Sequence, residues 1–260
     1  MIPIQESHVK TLAPSCLILG VIAAAVSSAG CSRDRMSQLP ATVLWAWERP
    51  ENLDFIDPQR VAVAYLAQTL TLAGDRVAIR PRLNPLRVPR GTRLIAVARI
   101  EPAPSRPPDL SSGQRAAAVD ALVGMARRPD VAAIQIDFDA RLSERPFYGQ
   151  LLRDLRRAVP PSMLVSITAL ASWCMEDNWI SDLPIDEAVP MLFRMGPAKR
   201  MVGIRLRSGR TFRPGLCAAS AGISTDEPLP ALPRVARVYI FHPKPWSASA
   251  YEEITERLKR

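Results

Sequence analysis

At 260 residues, with 48% hydrophobic and 23% charged side chains, the chain has globular composition, which excludes disorder and leaves room for one large α/β domain or two small ones. Its excess of 9 positive charges is carried mostly by scattered arginines, without a basic block or aromatic interleaving, so no nucleic-acid partner is expected and the charge suits anionic lipid or polysaccharide. His8 and His242 are its two histidines and no Cys-x-x-Cys occurs, so a histidine-rich metal site is excluded, and no metal or cofactor is expected.

In chain order, residues 12–29, LAPSCLILGVIAAAVSSA, form an uncharged apolar run followed by Gly30 and Cys31, which reads as a secretory signal over residues 1–30. Ser28-Ala29-Gly30-Cys31 is similar to a bacterial lipobox, with Ser28 where leucine is usual. It implies lipidation at Cys31, a linker over 31–41 and residence on the periplasmic face of a membrane, with Ser32 favouring the outer one. An uncleaved anchor or simple cleavage nearby is the alternative. Cys174 and Cys217 then lie in an oxidising compartment and could pair, although spacing alone does not show it.

TVLWAWERP (42–50) reads as a first strand. Asp57-Pro58 supplies a helix start, Val61, Tyr65, Leu66, Leu70 and Leu72 continue an apolar helical face, and Gly74 stops it. Strands are expected over 76–82 and 92–101, a helix over 113–127 and a strand over 131–140. A helix capped by Ser143 follows, then strands over 163–173, 187–196, 217–225 and 237–242, and a last helix from Ser249 with Glu252 completing a capping box. Eight strands, several separated by helices, predict a compact, irregular (β/α)8 TIM-type barrel as a single domain over 42–260, a monomer lacking helices after its second and seventh strands. An open α/β sheet is the alternative.

Function in such a barrel collects where strands end. Asp137 and Asp139 share one parity of the fourth strand, opposite Ile134, Ile136 and Phe138. Asp226 and Glu227 end the seventh strand and offer a second carboxylate. Trp45, Trp47, Glu48, Trp173, Trp179, Arg194 and Trp246 fall at or just past other strand ends, so all five tryptophans sit where indole faces and carboxylates together would suit a carbohydrate and its hydrolysis. Each tryptophan taken alone would equally plug the core beneath a loop. The aspartates could equally be structural, paired with Arg141 or Arg194, and His242 and Lys244 read as solvated loop residues.

IQIDFDA, SERPFY, LLRDLRRAVP, SITALASWC, LPIDEAVPMLFRMG and GISTDEP, spanning residues 134–228, together with WAWERPENL, resemble the bacterial family called domain of unknown function 3142. That resemblance implies an exported barrel related to glycosidases. A weaker resemblance is to chitinase-like barrels, whose fourth strand ends in Asp-x-x-Asp-x-Asp-x-Glu and whose sixth carries Met-x-Tyr. Asp137 falls on the third acidic position and Asp139 on the catalytic glutamate, while Ala132, Gln135 and Phe193 depart from the pattern. The expectation is a lipid-anchored glycoside-hydrolase-like barrel acting on or binding a glycan, or else a non-catalytic carbohydrate-binding or scaffold lipoprotein.

Overall fold

Alternation of side chains builds two nested layers. In β1 (Thr42–Ala46), Val43 and Trp45 point into one apolar cluster and Leu44 and Ala46 into another, as the period of an extended chain requires. The computed structural model describes residues 36–259 apart from 176, 178 and 213. The expected signal, the lipidated Cys31 and the start of the linker lie outside the described residues.

Ten further strands follow: β2 (Glu51–Asn52), β3 (Val61–Ala73), β4 (Arg76–Pro81), β5 (Leu86–Arg87), β6 (Leu94–Pro102), β7 (Val131–Asp137), β8 (Leu164–Leu170), β9 (Glu187–Met191), β10 (Ser220–Ser224) and β11 (Arg237–Phe241). The main sheet runs β1-β11-β10-β9-β8-β7-β6-β3-β4, and a pairing of β1 with β3 closes it. Every pairing around the ring is parallel, and β4 hangs outside it as an antiparallel hairpin on β3. The molecule is therefore a closed eight-stranded parallel barrel, closure removes the edges of that sheet everywhere except at β4, and β2 pairs with β5 in a separate two-stranded sheet. Helices α1 (Ser112–Ala126), α2 (Arg145–Ala158), α3 (Ala171–Met175), α4 (Lys199–Arg207) and α5 (Ala248–Lys259) pack outside it.

The inner layer holds Val43, Trp45, Ala62, Ala64, Ile95, Val97, Ala133, Leu164, Val189 and Tyr239, with Met36 and Leu39 closing the base. Glu187, Arg237 and the Tyr239 hydroxyl form one hydrogen-bonded group within that interior, so their burial is compensated. Glu187 takes a hydrogen bond from the Tyr239 hydroxyl at 2.7 Å and an ion pair from Arg237 at 2.6 Å. Arg237 also donates to the carbonyls of Met36, Leu39 and Pro40, which ties the N-terminal segment across the base.

The expected helix after Asp57 is instead β3. Val61–Ala73 is buried along most of its length, because its inner residues face the barrel and its outer ones the helical layer, and a strand buried on both sides is apolar throughout. The Asp57 carboxylate accepts from the Gln59 amide at 2.9 Å, so the apparent helix cap is a turn leading into a strand. Gly74, at φ +55°, turns the hairpin between β3 and β4. The barrel's second strand is thus β3 and not 76–82, and the first crossover lacks a helix, as do those after the second and seventh strands. Near the C-terminus, the Ser247 hydroxyl accepts from the Ala250 amide at 3.2 Å, so Ser247 rather than Ser249 caps α5. Cys174 of α3 and Cys217 form a disulfide.

Candidate functional site

β7 carries its polar face upward through the barrel. Gln135, fully buried, accepts from the Trp45 indole N–H at 2.8 Å and donates to the Ser166 hydroxyl at 2.9 Å. One step higher, Asp137 is recessed in the wall and accepts from the Thr168 hydroxyl at 2.7 Å. Asp139 follows just past the strand and opens on solvent. Between them Phe138 turns outward and meets Tyr148 of α2 edge-on at 5.1 Å, so parity delivers both carboxyls to the same side.

That side is a cavity of about 320 Å³ at the C-terminal mouth, large enough for a small ligand or the end of a larger one. Both aspartates line it together with Trp45, Trp47, Phe193 and Phe241. Burial raises the Asp137 carboxyl above the ordinary carboxylate range; the Thr168 hydrogen bond opposes the shift and the neighbouring Asp139 adds to it. Asp139 is raised as well, by the crowding of the mouth, with Arg99 opposing. Two acids that resist ionisation therefore stand side by side at an open cavity, the condition under which one can donate a proton.

The aromatic wall is continuous. Trp45 packs on Tyr239 and Phe193 with ring centres 5.2 and 6.1 Å apart. Phe193 and Phe241 stack 5.8 Å apart with planes only 4° from parallel. Trp47 meets Phe241 edge-on at 6.2 Å. Phe193 reaches the mouth because the Leu192 amide bonds the Gly222 carbonyl at 2.8 Å, which sends Leu192 outward into the core and the next side chain inward.

The remaining expected residues divide. Arg194 lines the cavity. Asp226 and Glu227 do not; Asp226 pairs with Arg194 at 3.6 Å and Glu227 with Lys199 at 3.1 Å. A hydrogen bond from Ser224 lowers the Asp226 carboxyl and one from the Arg194 amide lowers that of Glu227, so both favour the ionised form in their pairs with Arg194 and Lys199. Glu48 pairs with Arg80 on the outside. Trp173 and Trp246 are buried and Trp179 is partly buried in the outer core. Trp173 and Trp179 meet edge-on at 4.9 Å beneath the Arg145 guanidinium, and Trp246 donates its indole N–H to the Trp45 carbonyl at 2.9 Å. These three fill the core under loops. His242 is also packed, its Nδ1 2.6 Å from the Thr225 hydroxyl, whereas Lys244 is exposed.

Sequence reasoning passed over Arg99, Thr168 and Phe241. The signal was strand parity: Arg99 is in register with Asp137 and continues the inward series Ile95, Val97. Among the described residues, no group of three or more His, Cys, Asp or Glu side chains is placed to hold a metal ion.

No protein-family model matches the chain, and no curated protein matches it. Among solved structures, a chitinase, RmChi1 from Rhizomucor miehei, is similar at 11% identity and TM-score 0.40, covering 70% of this chain and 67% of that one. The chitinase domain of the spore coat protein CotE from Clostridium difficile is similar at 14% identity and TM-score 0.42, covering 77% of this chain and 64% of that one. The chain thus spans about two thirds of the length of each.

Proposed function

We propose that the protein is a lipid-anchored, exported barrel that takes a glycan into its mouth and acts on it as a glycoside hydrolase. One observation carries the reading: Trp47, Phe193 and Phe241 form an aromatic wall in the same cavity as Asp137 and Asp139. A sugar has an apolar face that stacks on such rings and hydroxyls that bond to carboxyl groups. Asp139, raised in pKa and open to solvent, is the general acid that gives its proton to the leaving glycosidic oxygen as a water from the open mouth adds to the anomeric carbon and returns a proton to solvent. Asp137, held by Thr168, stands beside it to bond the substrate. The disulfide between Cys174 and Cys217 and the signal-like N-terminus support an exported protein.

A second reading, a barrel that binds glycan without cleaving it, is favoured by the engagement of Asp226 and Glu227 with Arg194 and Lys199, which removes the expected second carboxylate from the cavity. Asp139→Asn separates the two. Under the hydrolytic reading it abolishes sugar release from a bound oligosaccharide while thermal stability and binding persist; binding by wild type without any release establishes the second reading. Cys31→Ser should move the protein from the membrane to the soluble fraction, and continued membrane association would end the lipoprotein assignment.

A further inference from the structure

Two guanidinium groups share the cavity with the aspartates. Arg99 of β6 lies with its Cζ 5.9 Å from the centre of the Trp47 ring, and Arg194 with its Cζ 4.9 Å from that of Phe241. Each is laid along the aromatic wall, and both line the cavity. Their own partners are loose: Arg99 meets Glu101 at 3.2 Å and Arg194 meets Asp226 at 3.6 Å, with all four side chains at least 40% exposed. Exposed pairs of this kind hold weakly and exchange readily for a better-placed anion.

Arg194 is also placed at a cost. It is a non-glycine residue at φ +50°, a left-handed backbone that strains any side chain with a Cβ and that persists only where the surroundings enforce it. The enforcing contact is the Glu227 carboxylate, which accepts from the Arg194 amide at 2.8 Å and is itself held by Lys199. Glu227 therefore positions the Arg194 backbone beside the wall, while the loose Asp226 contact leaves the guanidinium free to exchange partners.

We infer that the mouth is built for an anionic sugar, its ring against the aromatic wall and its carboxylate or sulfate on the guanidiniums of Arg99 and Arg194. This rests on reading the mouth as a glycan site. A planar guanidinium offers paired N–H groups that match an oxyanion. Asp137 and Asp139 oppose an anion to the extent that they are ionised; both are raised above the ordinary carboxylate range, with Arg99 acting against the shift in each.

The test is calorimetric titration of the protein with trigalacturonate, its methyl ester, a κ-carrageenan tetrasaccharide, which carries sulfate and no carboxylate, and chitotriose, in wild type, Arg99→Gln, Arg194→Gln and Arg194→Lys, with melting curves as the check on folding. The expected result is an acidic sugar binding at least about tenfold tighter than the neutral ones. That gap should shrink to under about threefold in either glutamine variant and in about 0.5 M salt, with partial recovery in Arg194→Lys. Trigalacturonate against the sulfated tetrasaccharide tells carboxylate from sulfate. Equal or tighter binding of the ester or chitotriose overturns the inference and leaves the glycan reading standing, as does a gap that the glutamine variants do not move. No binding of any of the four sugars overturns both.

Discussion

Gly222→Ala probes how the barrel floor sets the aromatic wall. Gly222 sits on β10 between Tyr239 and Met191 of its neighbours, and a Cβ built there would lie 2.9 Å from Cη2 and 3.2 Å from Cζ3 of the Trp45 indole. The ring has little freedom to give way, because its N–H is bonded to Gln135 and its face rests on Tyr239. Overpacking of this kind costs about 1–3 kcal/mol, and a domain of this size loses roughly 2–4 °C of melting temperature per kcal/mol. Thermal and urea unfolding should therefore show a fall of roughly 2–12 °C. Trp45→Phe removes the crowded edge, so the double variant should recover part of the loss, with a coupling of about 1 kcal/mol or more. If Gly222→Ala costs the same in both backgrounds, within about 0.5 kcal/mol, the indole is not what the glycine accommodates.

Asp137→Asn tests the buried acid. Because burial raises its carboxyl in the folded state, native protein keeps a proton that the unfolded chain gives up. Stability is therefore greatest below the ordinary carboxylate range and is lost as pH rises through the raised value. Asparagine retains an oxygen for Thr168 and removes the charge, so the variant should melt higher than wild type at about pH 8 and converge with it toward about pH 4; a variant less stable at every pH would refute the assignment. For the disulfide, the separation of 43 residues between Cys174 and Cys217 gives about 4 kcal/mol from loop closure. The double serine variant should lose stability of that order in urea unfolding, and a loss below about 1 kcal/mol would contradict a structural role.

The barrel was readable from its later half, where strands of five to seven residues alternate with amphipathic segments such as Phe147, Leu151 and Leu155 of α2. It was not readable at β3. A run buried on both faces has no alternation to betray it, and Val61, Tyr65, Leu66 and Leu70 match a helical stripe by spacing alone. The β-branched Val61, Val63, Thr69 and Thr71 were the signal for a strand. At the site, parity in β7 placed Asp137 and Asp139 correctly on one side. Strand ends were a poorer guide to the tryptophans: Trp45 and Trp47 share the inward parity of β1, while Trp173 falls in α3 and Trp246 in a loop, where a large apolar ring does better in the core. Asp226 and Glu227 show the corresponding limit for charges, since adjacency in sequence cannot say that Arg194 and Lys199 will claim them.

The central claim, that the mouth holds a glycan on its aromatic wall, is tested most directly by measuring oligosaccharide affinity in wild type and Trp47→Ala. Trp47 is only partly buried, so its removal should leave the melting temperature within about 2 °C while weakening binding about tenfold or more. Unchanged affinity in Trp47→Ala, with the domain still folded, would place the glycan elsewhere and contradict the account.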